Sequence, residues 1–189
     1  NETTPAAEGK TLKAGFIYLH DENSTYDLNF INGFKAACDA AGVEYLIKTG
    51  IPEGQEAYDA ACELAEAKCN FIFADSFGHE SYLLDAAKQP EGEGIEFCHA
   101  TGTNAHVENQ ANFHDAFASI YEGRYLAGVA AGMKLNEIKP AGNLKGEVPM
   151  MGYVGAFTYA EVISGYTSFY LGAKSICPDV TMEVSFTGS

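Results

Sequence analysis

The chain has 189 residues, of which 47% are hydrophobic and 20% charged, a composition that fits one globular domain or two small lobes. Lysine and arginine total 11 against 26 acidic residues, so the formal net charge is −15, which excludes the basic surface of a nucleic-acid-binding protein. Arg124 is the only arginine, and arginine is the favoured partner of phosphates and carboxylates, so a neutral polar ligand is favoured over a doubly charged one.

Short apolar runs alternate with amphipathic stretches over the first hundred residues. Ala14–Leu19 is a continuous apolar run, typical of a strand buried on both faces. Ser24 and Thr25 are possible N-caps of the helix that follows, and Gly42 is typical of its C-terminal end. Further strands are predicted at Val43–Ile47, Asn70–Ala74 and Ile95–His99. The regular strand–helix–strand spacing predicts right-handed crossovers and a parallel sheet with helices on both faces.

The rest of the chain predicts a second, smaller set of elements. A long helix is expected at about Asp115–Leu135, and its two glycines, Gly128 and Gly132, indicate a close-packed partner, for which a sheet is the simplest candidate. Strands at Met150–Gly155 and Val180–Phe186 flank another amphipathic helix. Two strands and two helices are too little to close a core of their own.

These elements predict three segments along an α/β chain. They are a flexible leader at residues 1–10, an N-terminal lobe at 11–115 and the first part of a C-terminal lobe at 116–189. No run of 18 apolar residues occurs, so no membrane span is predicted.

Ligands of open parallel sheets bind at the carboxyl ends of the strands, where loops converge. This rule selects the loops at residues 20–27, 75–79, 101–103 and 156–161. The candidate ligand-binding residues on or beside them are Tyr26, Asp27, Asn29, Ser76, Phe77, Thr101, Phe157 and Glu161. Aromatic rings stack on flat bases, and acceptors such as carboxylates bind ribose hydroxyls, so this set is typical of a site for an uncharged heterocycle.

Catalytic and metal-binding motifs do not occur in the sequence. There is no phosphate loop, dinucleotide fingerprint, zinc helix or nucleophile elbow, and the five cysteines contain no CxxC pair and are interpreted as small buried thiols. Ser76 with His79 leaves a small hydrolase open as an alternative. His99, His106 and His114 lack tight ligand spacing, so we predict no metal site, no cofactor and no catalytic residue.

Five segments in a fixed order carry a family resemblance. They are Phe73–Glu80 (FADSFGHE), Phe97–Gly102 (FCHATG), Tyr121–Gly132 (YEGRYLAGVAAG), Gly152–Phe157 (GYVGAF) followed by Ala160–Val162, and Leu171–Asp179 (LGAKSICPD). In this order and spacing they resemble the basic-membrane-protein (BMP) family of ABC-transporter solute-binding proteins, whose characterised members bind purine nucleosides.

The resemblance implies a type I periplasmic-binding-protein fold, with two lobes that each hold a parallel sheet flanked by helices and that close on a ligand. It implies an extracytoplasmic receptor without catalytic activity, periplasmic or on the cell surface, with a lipid anchor upstream of Asn1 and an ABC permease as its membrane partner. The family chain continues well past Ser189, so the second lobe is expected to be incomplete in this chain.

The resemblance also implies roles for two residues of the first loop. Tyr26 lies where the family has an aromatic residue that stacks on the base, and Asp27 lies where the family often has asparagine. The implied function is capture of a purine nucleoside or related heterocycle in the cleft between the lobes. A sugar-type ligand on the same fold stays open as an alternative, beside the hydrolase that would use Ser76 and His79.

Overall fold

A computed structural model of the chain describes residues 11–188. The predicted leader, residues 1–10, lies outside the described residues. The chain divides into two compact units after Phe117. In the first unit the elements are β1 (Lys13–Ile17), α1 (Thr25–Ala41), β2 (Glu44–Lys48), α2 (Gln55–Glu66), β3 (Phe71–Ala74), α3 (Glu80–Ala87), β4 (Glu96–Ala100), α4 (Ala105–Glu108) and β5 (Phe113–Ala116). In the second they are α5 (Ile120–Ile138), β6 (Met150–Gly155), α6 (Ala160–Ile176) and β7 (Thr181–Phe186).

The first unit is built on one sheet of five parallel strands in the order β2-β1-β3-β4-β5, which confirms the predicted parallel sheet. Alternate residues of β1 point to opposite faces, so Phe16 packs with α1 while Ile17 packs with α2 and α3. Both side chains are buried. The continuous apolar run of β1 therefore reflects burial on both faces of the sheet.

The ends of α1 are those that the sequence predicts. The Ser24 side chain accepts a hydrogen bond from the Asp27 N–H as the N-cap, and Gly42 ends the helix with a φ of 66°. That left-handed conformation costs glycine little, since it has no Cβ. The first loop and the start of α1 are thereby fixed at the carboxyl end of β1.

The predicted helix from Asp115 is wrong at its N-terminal end. Asp115 lies in β5, which pairs with β4 in parallel with Phe97 opposite Phe113, and α5 begins only at Ile120. The strand is four residues long, and only Phe113 in it is fully buried. A strand of this kind has almost no local signal, because its partner lies elsewhere in the chain.

The second unit holds a two-stranded parallel sheet, β6-β7, and the helix pair α5 and α6. The predicted close partner of the glycines is the other helix rather than the sheet. A Cβ at Gly128 would overlap the main-chain oxygen of Phe169, and a Cβ at Gly172 would overlap that of Tyr125. The two backbones approach so closely that only glycine fits at these crossings.

The cysteines are free thiols in three buried and two half-buried positions; the buried ones are Cys38, Cys69 and Cys177. The expectation of small buried thiols therefore holds for these three, while Cys62 and Cys98 are partly exposed. None of the helices between residues 11 and 188 combines the length and the apolar character needed to cross a membrane.

Candidate functional site

The candidate site of the first unit lies at the switch point of its sheet. From β1 the chain crosses to β2 on one side, whereas β3 lies on the other side of β1, so the loops after β1 and β3 lie at the switch point, where ligands of open parallel sheets bind. The two loops are joined there by a hydrogen bond of 3.0 Å from the Tyr26 hydroxyl to the main-chain oxygen of Asp75. The ring of Tyr26 is 49% exposed.

Asp27, the next residue, is buried and holds the first loop in place. One carboxylate oxygen accepts the His20 N–H at 2.9 Å, and the other accepts the Ser24 hydroxyl and lies 3.2 Å from the His20 ring nitrogen Nδ1. Burial by itself would raise the pKa of Asp27, but the hydrogen bonds from Ser24 and His20 outweigh it and the pKa lies below its usual value. Asp27 is therefore ionised at neutral pH, and its oxygens are committed to the loop.

Asp75 is a second buried carboxyl group at this rim, and it was not among the candidate residues. It is fully buried, and neither side-chain oxygen makes a hydrogen bond of normal geometry within residues 11–188, although the Leu19 backbone and the Asp27 carboxylate lie near enough to affect its pKa. Burial, followed by the charge of Asp27, raises its pKa to about 7. Buried polar groups are nearly always hydrogen-bonded, so an unpaired one at a loop rim indicates a functional position. Its sequence signal was an acidic residue directly after a buried strand.

The loop after β3 is held by Glu53, which sequence reasoning also missed. The Ser76 hydroxyl donates to a carboxylate oxygen of Glu53, and the Gly78 N–H donates to the same oxygen at 2.8 Å. The hydrogen bond from Ser76 is the main cause that lowers the pKa of Glu53. Phe77 lies between these two anchor points with its ring 56% exposed. No local sequence pattern around Glu53 predicts this role, because its hydrogen-bond partners are more than twenty residues away in the chain.

Ser76 and His79 do not form the nucleophile–base pair that the hydrolase alternative needs. The Ser76 hydroxyl donates to Glu53, while His79 is buried with its Nε2 atom 2.9 Å from the Ile51 main-chain oxygen. The second ring nitrogen of His79, Nδ1, has no hydrogen-bond partner among the described residues. His79 is therefore not positioned as the base for Ser76, and this pair carries no hydrolytic mechanism.

Asn29 and Thr101 lie on the same unit but not in the hydrogen-bonded group around Tyr26. The Asn29 amide donates to the Thr25 main-chain oxygen at 2.7 Å, on the exposed face of α1. Thr101 follows β4, has a φ of 69° and donates its N–H to the Ala116 oxygen at 2.9 Å. Its backbone is in the left-handed region, where a β-branched residue is strained. The strained backbone of Thr101 makes the loop after β4 a second distinctive part of this end of the sheet.

Phe157 and Glu161 lie in the second unit, after β6. The Phe157 ring stacks on Tyr159 with 5.1 Å between the ring centroids. The Glu161 carboxylate lies 3.9 Å from the Arg124 guanidinium, which also donates to the Tyr153 hydroxyl at 2.6 Å. The loop after β6 thus presents an aromatic pair and a loosely held carboxylate.

Comparisons with known proteins agree with this fold. The family model described as Bmp, ABC transporter substrate-binding protein PnrA-like, matches residues 18–189. A purine-binding protein of Brucella abortus is 33% identical over 94% of this chain and 47% of its own length. A putative ABC transporter glucose-binding protein of Haloferax volcanii is 28% identical over 97% of this chain and 43% of its own length.

A solved structure gives the same answer for the fold. A solute-binding protein of an ABC transporter system from Conexibacter woesei superposes with a TM-score of 0.65 at 19% identity, over 94% of this chain and 55% of that chain. The chain therefore has the predicted periplasmic-binding-protein fold, and it spans about half the length of the curated relatives that it matches. With nearly the whole chain matched by the family model, the predicted resemblance is confirmed: the chain belongs to the Bmp family of PnrA-like ABC transporter substrate-binding proteins.

Proposed function

We propose that this chain is part of the solute receptor of an ABC importer, which captures a purine nucleoside or a related heterocycle outside the cytoplasm and delivers it to a membrane permease. The observation that carries the proposal is the rim at the β1/β3 switch point. There the exposed rings of Tyr26 and Phe77 stand on loops fixed by Asp27 and Glu53, beside the unpaired carboxyl group of Asp75.

The chemistry of this rim suits a flat, uncharged ligand. Stacking of a base on an aromatic side chain contributes about 1–3 kcal/mol in nucleic-acid binders, and the rings of Tyr26 and Phe77 offer such faces. Asp75, with a pKa of about 7, is present both as an acid and as a carboxylate at neutral pH. Once the two loops move apart and expose this buried group, it can accept a hydrogen bond from a ring N–H or donate one to a ring nitrogen, both of which a purine carries.

The proposal assigns ligand contacts to the eight candidate residues and to Asp75. The set is Tyr26, Asp27, Asn29, Ser76, Asp75, Phe77, Thr101, Phe157 and Glu161. Asp27 and Ser76 act mainly by holding the two loops, since their side chains are bonded within the unit. The lobe boundary at residue 115 and the lipid anchor upstream of Asn1 are parts of the same proposal.

A sugar is the second candidate ligand. One relative is named as a putative glucose-binding protein, and carboxylates such as Asp75 and Glu161 bind sugar hydroxyls as readily as they bind ring nitrogens. The purine-binding relative is the more similar of the two, at 33% against 28% identity. The exposed aromatic rings also favour a purine, because a flat base stacks on them over a larger area than a sugar ring does.

The test is a calorimetric titration of the full-length protein with purine nucleosides, free purine bases, D-glucose and D-ribose. We expect saturable one-to-one binding of a nucleoside or base, and mass spectrometry of the ligand after incubation should find it unchanged. Binding of the sugars alone would replace the purine proposal by the sugar one. Turnover of any ligand would contradict the assignment as a receptor.

A further inference from the structure

Three side chains with metal-binding atoms converge in the first unit, against the loop after β4. His99 on β4 and Asp115 on β5 are register partners, so their side chains lie on the same face of the sheet, and Glu80 begins α3 beside them. One ligand atom from each of these residues lies within 4.8 Å of the other two. Glu80 and His99 are buried and Asp115 is half-buried.

The hydrogen bonding of His99 leaves one ring nitrogen available. The Nε2 atom lies 2.6 Å from the main-chain oxygen of Ser76, which can only accept, so Nε2 carries the hydrogen. In the neutral ring the lone pair is then on Nδ1, which is buried without a hydrogen-bond partner among the described residues. A histidine that donates one N–H to a carbonyl and keeps the other nitrogen free has the orientation of a metal ligand.

The two carboxyl groups accept hydrogen bonds from the backbone of the segment after β4. One oxygen of Glu80 accepts the N–H groups of Thr103 and Asn104, each at 2.6 Å, and Asp115 Oδ2 accepts the Ala105 N–H at 2.9 Å. The other Asp115 oxygen, Oδ1, is buried and has no partner within residues 11–188.

The cluster therefore combines two carboxyl groups with an imidazole whose Nδ1 atom has no partner among the described residues, and of the three side chains only that of Asp115 is partly exposed. The ion pairs within the described part of the chain include neither Glu80 nor Asp115. Burying charge without a counter-charge is unfavourable by several kcal/mol per ion. Gly102 passes directly over the cluster, where a Cβ would overlap a Glu80 oxygen and lie 2.5 Å from Asp115 Oδ1. The loop is fitted to the cluster, and no cationic side chain pairs with these carboxyl groups within the described residues.

We propose that Glu80, His99 and Asp115 form a binding site for one divalent transition-metal ion, of which Zn²⁺ is the best fit. One nitrogen and two carboxylate oxygens match the ligands of Zn²⁺, with the fourth position left for water, whereas Mg²⁺ and Ca²⁺ prefer oxygen alone. Ligands about 2.1 Å from one ion lie roughly 3–4 Å apart, so the three side chains move slightly closer together on binding. The bound ion fastens the β4 loop to α3 and β5.

The experiment begins with the full-length protein stripped of metal by a chelator and then titrated with ZnCl₂. Calorimetry and elemental analysis after desalting should find one tightly held Zn²⁺ per chain, with MgCl₂ unable to displace it. Glu80→Gln and Asp115→Asn each keep the side-chain shape and remove one charge, and each should weaken Zn²⁺ binding at least a hundredfold. His114→Gln is the matched control, because His114 forms an exposed pair with Glu96 at 2.8 Å and its loss should leave the affinity unchanged.

Thermal unfolding with and without ZnCl₂ gives a second measurement that does not depend on the calorimeter. An ion that binds only the folded state raises Tm, so Zn²⁺ should raise the Tm of the wild type and of His114→Gln but not of the two cluster variants. Circular dichroism identifies any cluster variant that fails to fold, and the remaining cluster variant then tests the proposal. A wild type that binds no Zn²⁺, or cluster variants that bind it as tightly as the wild type, would overturn the proposal.

Discussion

The two units of the chain bury their apolar side chains in different ways. In the first, five strands are covered on both faces, and two large clusters of buried residues lie on either side of the sheet. In the second, the buried apolar cluster is small and centres on Leu135, Ala173, Cys177 and Val180, while Val154 on β6 and Leu171 on α6 are exposed. A five-stranded sheet can close a core on each face, but two strands cannot, so the helix pair carries most of the packing in the second unit.

The charged side chains near the ends of the strands also differ in burial between the two units. In the first unit the carboxyl groups of Asp27 and Asp75 are both buried, but burial and the charge of Asp27 raise the pKa of Asp75 to about 7, whereas hydrogen bonds from Ser24 and His20 hold the pKa of Asp27 below its usual value. In the second unit Glu161 and Arg124 are both partly exposed, and an ion pair of this kind contributes little to stability. Stability and titration behaviour should therefore respond to mutation very differently in the two units.

The largest effect is expected from Phe16→Ala in the first unit. Phe16 is 1% exposed and stacks on Phe34 at 4.6 Å, so removing the ring should lower the free energy of unfolding by about 3–5 kcal/mol. Leu126→Ala on α5 is the control, because Leu126 is 68% exposed and its loss should cost no more than about 0.5 kcal/mol. Urea unfolding, with hydrogen exchange to locate the change, measures both. Similar losses of unfolding free energy in the two variants would contradict the difference in packing between the units.

Asp75→Asn should change how stability depends on pH. The folded-state pKa of about 7 is above the unfolded value of about 3.9, so the group contributes its full stability below about pH 4 and loses it as the pH rises to about 7. Asparagine does not ionise, so the advantage of the variant over the wild type should grow across that range, by at most about 4 kcal/mol, and then level off.

The measurement is the urea midpoint at intervals from pH 4 to pH 8. Asp85→Asn on the exposed side of α3 serves as the surface control and should change the free energy of unfolding by no more than about 0.5 kcal/mol. If the difference in unfolding free energy between Asp75→Asn and the wild type is constant with pH, then the surroundings do not raise the pKa of the Asp75 carboxyl group.

Gly128→Ala should weaken the second unit by about 1–3 kcal/mol. The added Cβ meets the main-chain oxygen of Phe169, so α5 and α6 must separate, and this outweighs the better helix propensity of alanine. Gly123→Ala on the same helix meets only Ile120 at 4.0 Å and should be neutral or stabilising. Protection of the α5 and α6 amides from hydrogen exchange reports the difference. Equal behaviour of the two variants would mean that the helix contact does not hold this unit together.

Tyr26→Ala should weaken nucleoside binding more than tenfold, which corresponds to about 1.4 kcal/mol, with little change in stability. Tyr121→Ala is the matched control, since its ring on α5 has a similar exposure of 47% and lies outside the candidate loops. Calorimetric titration of both variants decides the matter. An unchanged Kd for Tyr26→Ala would remove that ring from the site.

Much of the candidate site was visible in the sequence, but the interactions that shape it were not. The loops after β1 and β3 follow from the order of strands, and with them Tyr26 and Phe77 as exposed rings. No sequence pattern indicates that Glu53 holds the second loop or how Asp75 is surrounded, because those facts depend on residues brought together from distant segments.

By itself the sequence determined the local elements and the parallel arrangement, since apolar runs, the caps of α1 and Gly42 are signals that act within a few residues. Only the tertiary structure decided that β5 pairs with β4, that the glycines of α5 face α6, and that Glu80 and Asp115 join His99. The physical reason is the same in each case. Periodicity and capping report which side of an element is buried, whereas strand partners, helix contacts and converging ligand atoms are set by segments far apart in the chain.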